Sequence, residues 1–165
     1  MKHRLALVLA AAVVLAGCHR REITKLERDE AANVVSEAEF AVTLKDWPRA
    51  EGLYTKATAL CPDMGETWVR LGVVRVRMHN SGGARDAYKS ALSAFKDDFK
   101  KDPTNSSDVI RAATVLVILG RADDAQALVQ KAYADHPDDH RLRNFVEMKG
   151  VDKIVADPGL KEISP

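Results

Sequence analysis

An all-α fold built from a repeated helical hairpin is predicted by three observations. Alanine, the best helix former and small enough to let helices approach closely, supplies 24 of 165 residues. Only nine glycines and six prolines interrupt the chain. One set of side chains also recurs. Trp68, Leu71, Gly72, Ala84, Tyr88 and Ala91 are matched 34 residues earlier by Val34, Glu37, Ala38, Ala50, Tyr54 and Ala57. They are matched 41 residues later by Val109, Ala112, Ala113, Ala125, Val129 and Ala132. Glu37 in place of leucine is the one departure in size and type from the first match.

The elements follow in order. Helices are predicted over 22–44, 48–60, 65–78, 83–101, 107–119, 121–135 and 139–149. Asp46, the stretch His79 to Gly83, and Gly120 mark turns between them. Ser106 or Ser107 is placed to cap the helix after Asn105. The middle unit is seven residues longer than a 34-residue period, close to two helical turns or about 10 Å of rise. No breaker occurs from Ala91 to Lys101, so its second helix is expected to run on and project. Phe95 and Phe99 share a face there, either packed on their own neighbours or offered to a partner. His140 to Lys149 reads as a helix with Leu142, Phe145, Val146 and Met148 as its apolar positions, a cap of the kind a terminal repeat requires. A short turn from Val151 to Val155 and a polar tail, within a C-terminal stretch of 150–165, are expected to close the chain. The tail, from Asp157, is expected to be mobile.

The spacing and residues resemble the tetratricopeptide (TPR) family. Trp68-x-x-Leu71-Gly72, Ala84, Tyr88 and Ala91 fit its pattern, Pro62 and Pro137 stand at its closing proline, and Gly120 fills its turn. Arg75, at a usual tyrosine position, and Lys96, where a closing proline belongs, depart from it. The resemblance implies a right-handed superhelical solenoid over 22–149, with units of about 31–64, 65–105 and 106–139 and a capping helix at 139–149. It further implies that the first helix of each unit lines a concave face that binds peptides or partner helices. The lining positions become Ala32, Val35, Glu39, Val42 and Thr43; then Glu66, Val69, Val73, Val76 and Arg77; then Ser107, Ile110, Thr114, Val117 and Ile118. The expected partner-binding set is Val69, Val73, Val76, Arg77, Ile110, Thr114 and Val117, an apolar groove with a basic edge from Arg70 and Arg77. An exposed apolar stripe marks an interaction site. It is also open to cover by the segment around Ile154 and Leu160, or by a second copy.

The first residues read as an address. Lys2 and Arg4 precede twelve apolar residues from Leu5 to Ala16, the form of a secretory signal and too short to span a bilayer. Leu15-Ala16-Gly17-Cys18 resembles the bacterial lipobox. By that resemblance 1–17 is a lipoprotein signal peptide and 18–21 a lipidated tether, with Cys18 carrying diacylglycerol and an N-acyl chain. His19, not aspartate, follows Cys18, which favours the outer membrane, with the solenoid facing the periplasm. Arg20, Arg21, Lys25 and Arg28 lie close to that anchor, either against head groups or as a solvated helix start. Cys61 is the remaining cysteine, expected as a partly buried small hydrophobe.

Chemistry is sparse. Lysine plus arginine is 25 and aspartate plus glutamate 24, without the basic excess of a nucleic-acid binder. Removing 1–17 leaves a formal balance of −1. No nucleophile elbow, zinc-protease helix or phosphate-cradling glycine loop occurs. His136-Pro137-Asp138-Asp139-His140 holds ligand types, but Pro137 keeps the two histidines off one regular helix face. No metal and no cofactor beyond the covalent lipid is expected. The reading is a membrane-anchored adaptor for a protein or peptide, with a self-associating structural module second and an envelope hydrolase third.

Overall fold

A computed structural model describes residues 22–165. Its nine helices within those residues are α1 (Lys25–Thr43), α2 (Trp47–Leu60), α3 (Gly65–Arg77), α4 (Ser81–Lys101), α5 (Ser106–Ile118), α6 (Ala122–Asp135), α7 (His140–Glu147), α8 (Gly150–Val155) and α9 (Leu160–Ile163). Each of α1 to α7 packs on the helix before and after it in the chain. That nearest-neighbour pattern is the solenoid the repeat predicts. Residues 1–21, which hold the expected signal segment, Cys18 and the tether, lie outside the described residues.

The alanines explain how the hairpins close. Ala50, Ala84 and Ala125 are wholly buried, as are Ala57 and Ala91, and Ala132 is nearly so. A methyl group at each crossing lets two backbones approach where a larger side chain would hold them apart. The core runs across the units rather than inside each. Ala38, Ala41, Ala50 and Tyr54 of the first unit join Leu71, Val74 and Ala87 of the second. Ala84, Tyr88, Ala91 and Phe95 of the second join Ala112, Ala113, Leu116 and Val129 of the third. No unit could bury its apolar face alone.

Every hairpin turns through the same backbone device. Lys45, His79 and Gly120 have φ of 58°, 58° and 75°. Around His79, its own N–H donates to the Val76 carbonyl at 2.9 Å and the Asn80 N–H to the Arg75 carbonyl at 2.8 Å, which closes the helix end in a Schellman motif. The equivalent bonds recur at Lys45 and at Gly120. Only glycine adopts this left-handed conformation without penalty. His79→Gly should therefore raise the unfolding free energy by about 1 kcal/mol in chemical denaturation, while Gly120→Ala should lower it by a similar amount.

At the starts of α1, α2, α4 and α7, a side chain does the capping. Thr24 and Glu27 form a capping box on α1, with the Thr24 N–H donating to Glu27 Oε2 at 2.9 Å and the Glu27 N–H to Thr24 Oγ1 at 3.3 Å. The N-cap position of α5 falls on Asn105, one residue before the expected serines, and its side chain makes no capping bond; Ser106 is already helical and buried. Asp139 caps α7, accepting from the Arg141 and Leu142 N–H groups at 2.8 and 2.9 Å. Burial alone pushes the Asp139 carboxyl up, but bonds from the Leu142 N–H, the Ser106 hydroxyl and the Arg141 N–H, with the Arg141 charge, outweigh it and hold the group below its usual value. A lowered folded value contributes stability above the ordinary carboxylate range, lost as pH falls through the lowered value. Asp139→Ala should cost about 1 kcal/mol at neutral pH. Compared in denaturation at neutral and strongly acid pH, that deficit should shrink in acid.

One departure from the family pattern has structural partners, and the other fits the path of its helix. Arg75 donates from Nε and Nη2 to Glu51 Oε1 at 3.0 and 2.8 Å, and from Nη1 to the Gly83 carbonyl at 3.1 Å. One guanidinium thus ties α2, α3 and the first turn of α4. Lys96 lies where α4 continues to Lys101, as the missing proline predicts. The extension does not project, however. Phe95 is buried, and Phe99 packs on Val109, Ala132 and Leu142 with its ring edge-on to His136 at 5.9 Å. The rings face inward because α5 and α6 pass directly beneath them.

The end of the chain is ordered too. The stretch expected as a turn forms α8, with Val151 buried in the core of the second and third units. The expected mobile tail instead forms α9, which lies on α3.

Candidate partner-binding groove

Helix α3 sorts its side chains by face. Leu71, Gly72 and Val74 are buried against neighbouring helices, while Val69, Val73 and Val76 are half-buried and Glu66 and Arg77 exposed. α5 repeats the arrangement with Ala112, Ala113 and Leu116 inside. The remaining faces of α3 and α5, with α7, α8 and α9 set against them, make a surface of three parts.

The first part is an open cleft of about 530 Å³ between α3 and α5. Val69, Val115 and Ile118 line it, with Phe95 contributed from α4, Thr114 beside them and Glu66, Arg70 and Arg111 among its charged side chains. The Arg111 guanidinium stands 5.9 Å from the Phe95 ring centroid, a cation–π placement. It also pairs with Asp108 at 3.3 Å. Arg70 pairs with Glu39 of α1. The aromatic ring lies against Gly65, where an added Cβ would come within 2.7 Å of a ring carbon, and also borders the cleft.

The second part is an apolar hollow of about 500 Å³ lined by Ile110, Phe145, Met148 and Ile154, with Arg141 and Lys153 also on its wall. Met148 is exposed at 59%. Arg141 donates to the Ser107 hydroxyl at 2.6 Å.

The third part is covered. Val117 is buried, and Val76 packs at the edge of the same cluster with Leu160 and Ile163 of the closing segment. Arg77 pairs with Glu162 at 2.9 Å. The seven expected residues are thus not one open groove. Val69 and Thr114 share the cleft, Ile110 belongs to the hollow, Val73 is half-buried on α3, and Val76, Arg77 and Val117 meet the chain's own C-terminal residues. The basic edge is likewise tied down, because Arg70 and Arg77 both hold carboxylates.

Phe95, Arg111 and Val115 are absent from the lining positions that the resemblance implies. Phe95 comes from the second helix of its unit, which the family pattern places behind the groove. Arg111 follows Ile110 directly and stays exposed, at the rim of the cleft. Near the expected anchor, Arg28 pairs with Asp63 at 2.7 Å and Lys25 with Asp29 at 3.6 Å. The hydrogen bond and charge of Asp63 raise the Arg28 value further above its usual range. Cys61 is wholly buried, its Sγ 3.6 Å from the Glu27 carbonyl, and so is closed to a disulfide with another chain.

Among the described residues no helix is long and apolar enough to cross a membrane, and no three His, Cys, Asp or Glu side chains cluster as metal ligands. No protein-family model and no curated protein matches the chain. Solved structures similar to it include the TPR domain of Arabidopsis OM64, at 18% identity and a TM-score of 0.43, covering 77% of this chain and 98% of that one. The TPR2B domain of yeast Sti1, in a complex with pHsp70, is 19% identical with a TM-score of 0.46, covering 80% and 95%. The Yersinia enterocolitica type III secretion chaperone SycD, in complex with a peptide of the translocator YopD, is 17% identical with a TM-score of 0.47, covering 86% and 97%.

Proposed function

We propose that this chain is a lipid-anchored, periplasm-facing adaptor that holds a protein or peptide partner in the cleft between α3 and α5, in the service of envelope assembly. The cleft carries the reading. It is concave and open, with half-buried Val69 and Thr114 on its wall, Val115, Ile118 and Phe95 buried behind them, and Glu66, Arg70 and Arg111 around it. Binding sites have that composition: apolar surface supplies affinity and a few polar groups fix orientation. Its arginines are paired with Glu39 and Asp108, and the role this reading gives the cleft is recognition. The matching ligand is a segment with an apolar side chain for the Val69 side of the cleft.

The anchor is read from Leu15-Ala16-Gly17-Cys18, with diacylglycerol and an N-acyl chain on Cys18 and the outer membrane as its site. Two or more acyl chains make such attachment stable where one does not. Cys18→Ala should abolish fatty-acid labelling and release the protein from membranes; unchanged labelling refutes the anchor. Thr114→Arg places a long cation in the cleft. It should abolish co-purification of the partner that the unaltered chain retains, with helical content unchanged. Equal retention by both chains refutes the cleft as the seat.

A further inference from the structure

Residues 157–165 sit on the covered part of the groove as a ligand would. Three different interactions hold them. The Tyr88 hydroxyl donates to the Ile163 carbonyl at 2.6 Å. The Arg77 guanidinium pairs with Glu162 at 2.9 Å. Leu160 and Ile163 pack against the cluster that contains Val117 and borders Val76. The segment contributes little order of its own. α9 spans only Leu160–Ile163, far below the length at which an isolated helix persists, and Asp157-Pro158-Gly159 precedes it. Its conformation therefore comes from the surface beneath it, and a segment so held belongs to the least stable part of a fold.

That surface is specific in chemistry. Tyr88 is 0% exposed, and a buried phenol left without an acceptor is costly. Uncovered, the site presents a hydroxyl donor, a cation and an apolar floor, all on helices that the solenoid core holds in place. We propose that this end of the groove is a second ligand seat, occupied by residues 157–165 in the resting chain. Its ligand is a partner segment of the same chemistry: two apolar side chains three positions apart, a carboxylate between them, and a backbone carbonyl for Tyr88. This rests on the adaptor reading and adds its regulation. Because the chain's own segment competes, apparent affinity is scaled down by the fraction of molecules in which it is released. A partner that offers both an apolar anchor for the α3–α5 cleft and this second motif displaces it.

The test uses a fluorescein-labelled peptide with the sequence of residues 157–165, titrated into the full chain with anisotropy as readout. The full chain carrying Leu160→Asp and Ile163→Asp should bind it about tenfold or more tightly than the unaltered chain. Adding Arg77→Glu to that variant should weaken binding by about tenfold. Equal affinity for altered and unaltered chains overturns the proposal, as does no binding by an altered chain whose circular dichroism is unchanged. If the altered chain loses its helices, the unaltered chain decides. The Ser164 N–H, which donates to the Leu160 carbonyl at 3.0 Å, should then exchange faster with solvent when unlabelled peptide is in large excess. An unchanged rate overturns the proposal. A dimer that Leu160→Asp and Ile163→Asp dissolve assigns the segment to a second copy and also overturns it. Failure of the adaptor reading looks different: the peptide competes as described, yet neither chain retains a partner through the cleft.

Discussion

Tyr88→Ala should lower the unfolding free energy by about 3–5 kcal/mol, the range for deleting a buried aromatic side chain. Tyr88 is wholly buried where the second unit meets the third, so its loss opens a cavity in the core that joins them. The ring lies against the bare backbone of Gly72, where an added Cβ would come within 2.5 Å of a ring carbon. This contact makes a sharper prediction than the single substitution. Gly72→Ala gains up to about 1 kcal/mol of helix propensity but forces an overlap costing about 1–3 kcal/mol, so alone it should destabilise. In a Tyr88→Ala background the overlap is gone, and Gly72→Ala should stabilise. A double-mutant cycle by chemical denaturation reads the change of sign. Additive effects would show that the two residues are not packed as described. Tyr88→Phe keeps the ring and loses only the hydroxyl bond to Ile163, which should cost about 1 kcal/mol.

Phe95→Ala should cost a similar 3–5 kcal/mol or so, and it should also disable the cleft. The ring is buried against Gly65 and stands under the Arg111 guanidinium, so its removal releases both the α3 start and the arginine. Phe95→Leu, which refills most of the volume, should recover much of the stability without restoring the cation–π contact. Partner retention that follows stability across these two variants would assign Phe95 a packing role alone. Retention lost in a folded Phe95→Leu chain would assign it to the ligand as well.

These two sites show what the sequence makes legible. Alanines at 50, 57, 84, 91, 125 and 132 mark the crossings, and each is buried. A small residue at a fixed period has few other causes, so the period reads directly as packing. Gly72 and Tyr88 are legible for the same reason. The left-handed turns are legible only at Gly120; Lys45 and His79 adopt the same conformation with side chains that give no signal. The fate of Phe95 and Phe99 is harder still. Their spacing shows that they share a face, but which helix covers that face depends on the path of α5 and α6. The docking of residues 157–165 is legible only in part: cover of the apolar stripe by the segment around Ile154 and Leu160 is one of the alternatives the sequence offers, but the contacts that hold it are not. It depends on a hydrogen bond across 75 residues of sequence, from Tyr88 to Ile163, in a segment whose own composition reads as a polar tail. Local pattern carries periodic contacts well and does not show which single distant hydrogen bond forms.

The groove divides along the same line. Val69 and Thr114, lining positions that the resemblance implies, lie on one cleft. Val117, Val76 and Arg77 sit on the same periodic faces but under the closing segment. Periodicity assigns a face and says nothing about what lies over it.

The measurement that tests the central claim most directly is site-specific photo-crosslinking in living cells. A photoreactive residue at Val69, on the cleft wall, is compared with one at Ala59, exposed on α2. The account predicts that Val69 captures one specific protein, that Ala59 does not, and that Thr114→Arg abolishes the capture. The same product from both positions, or capture at Val69 that survives Thr114→Arg, would contradict it.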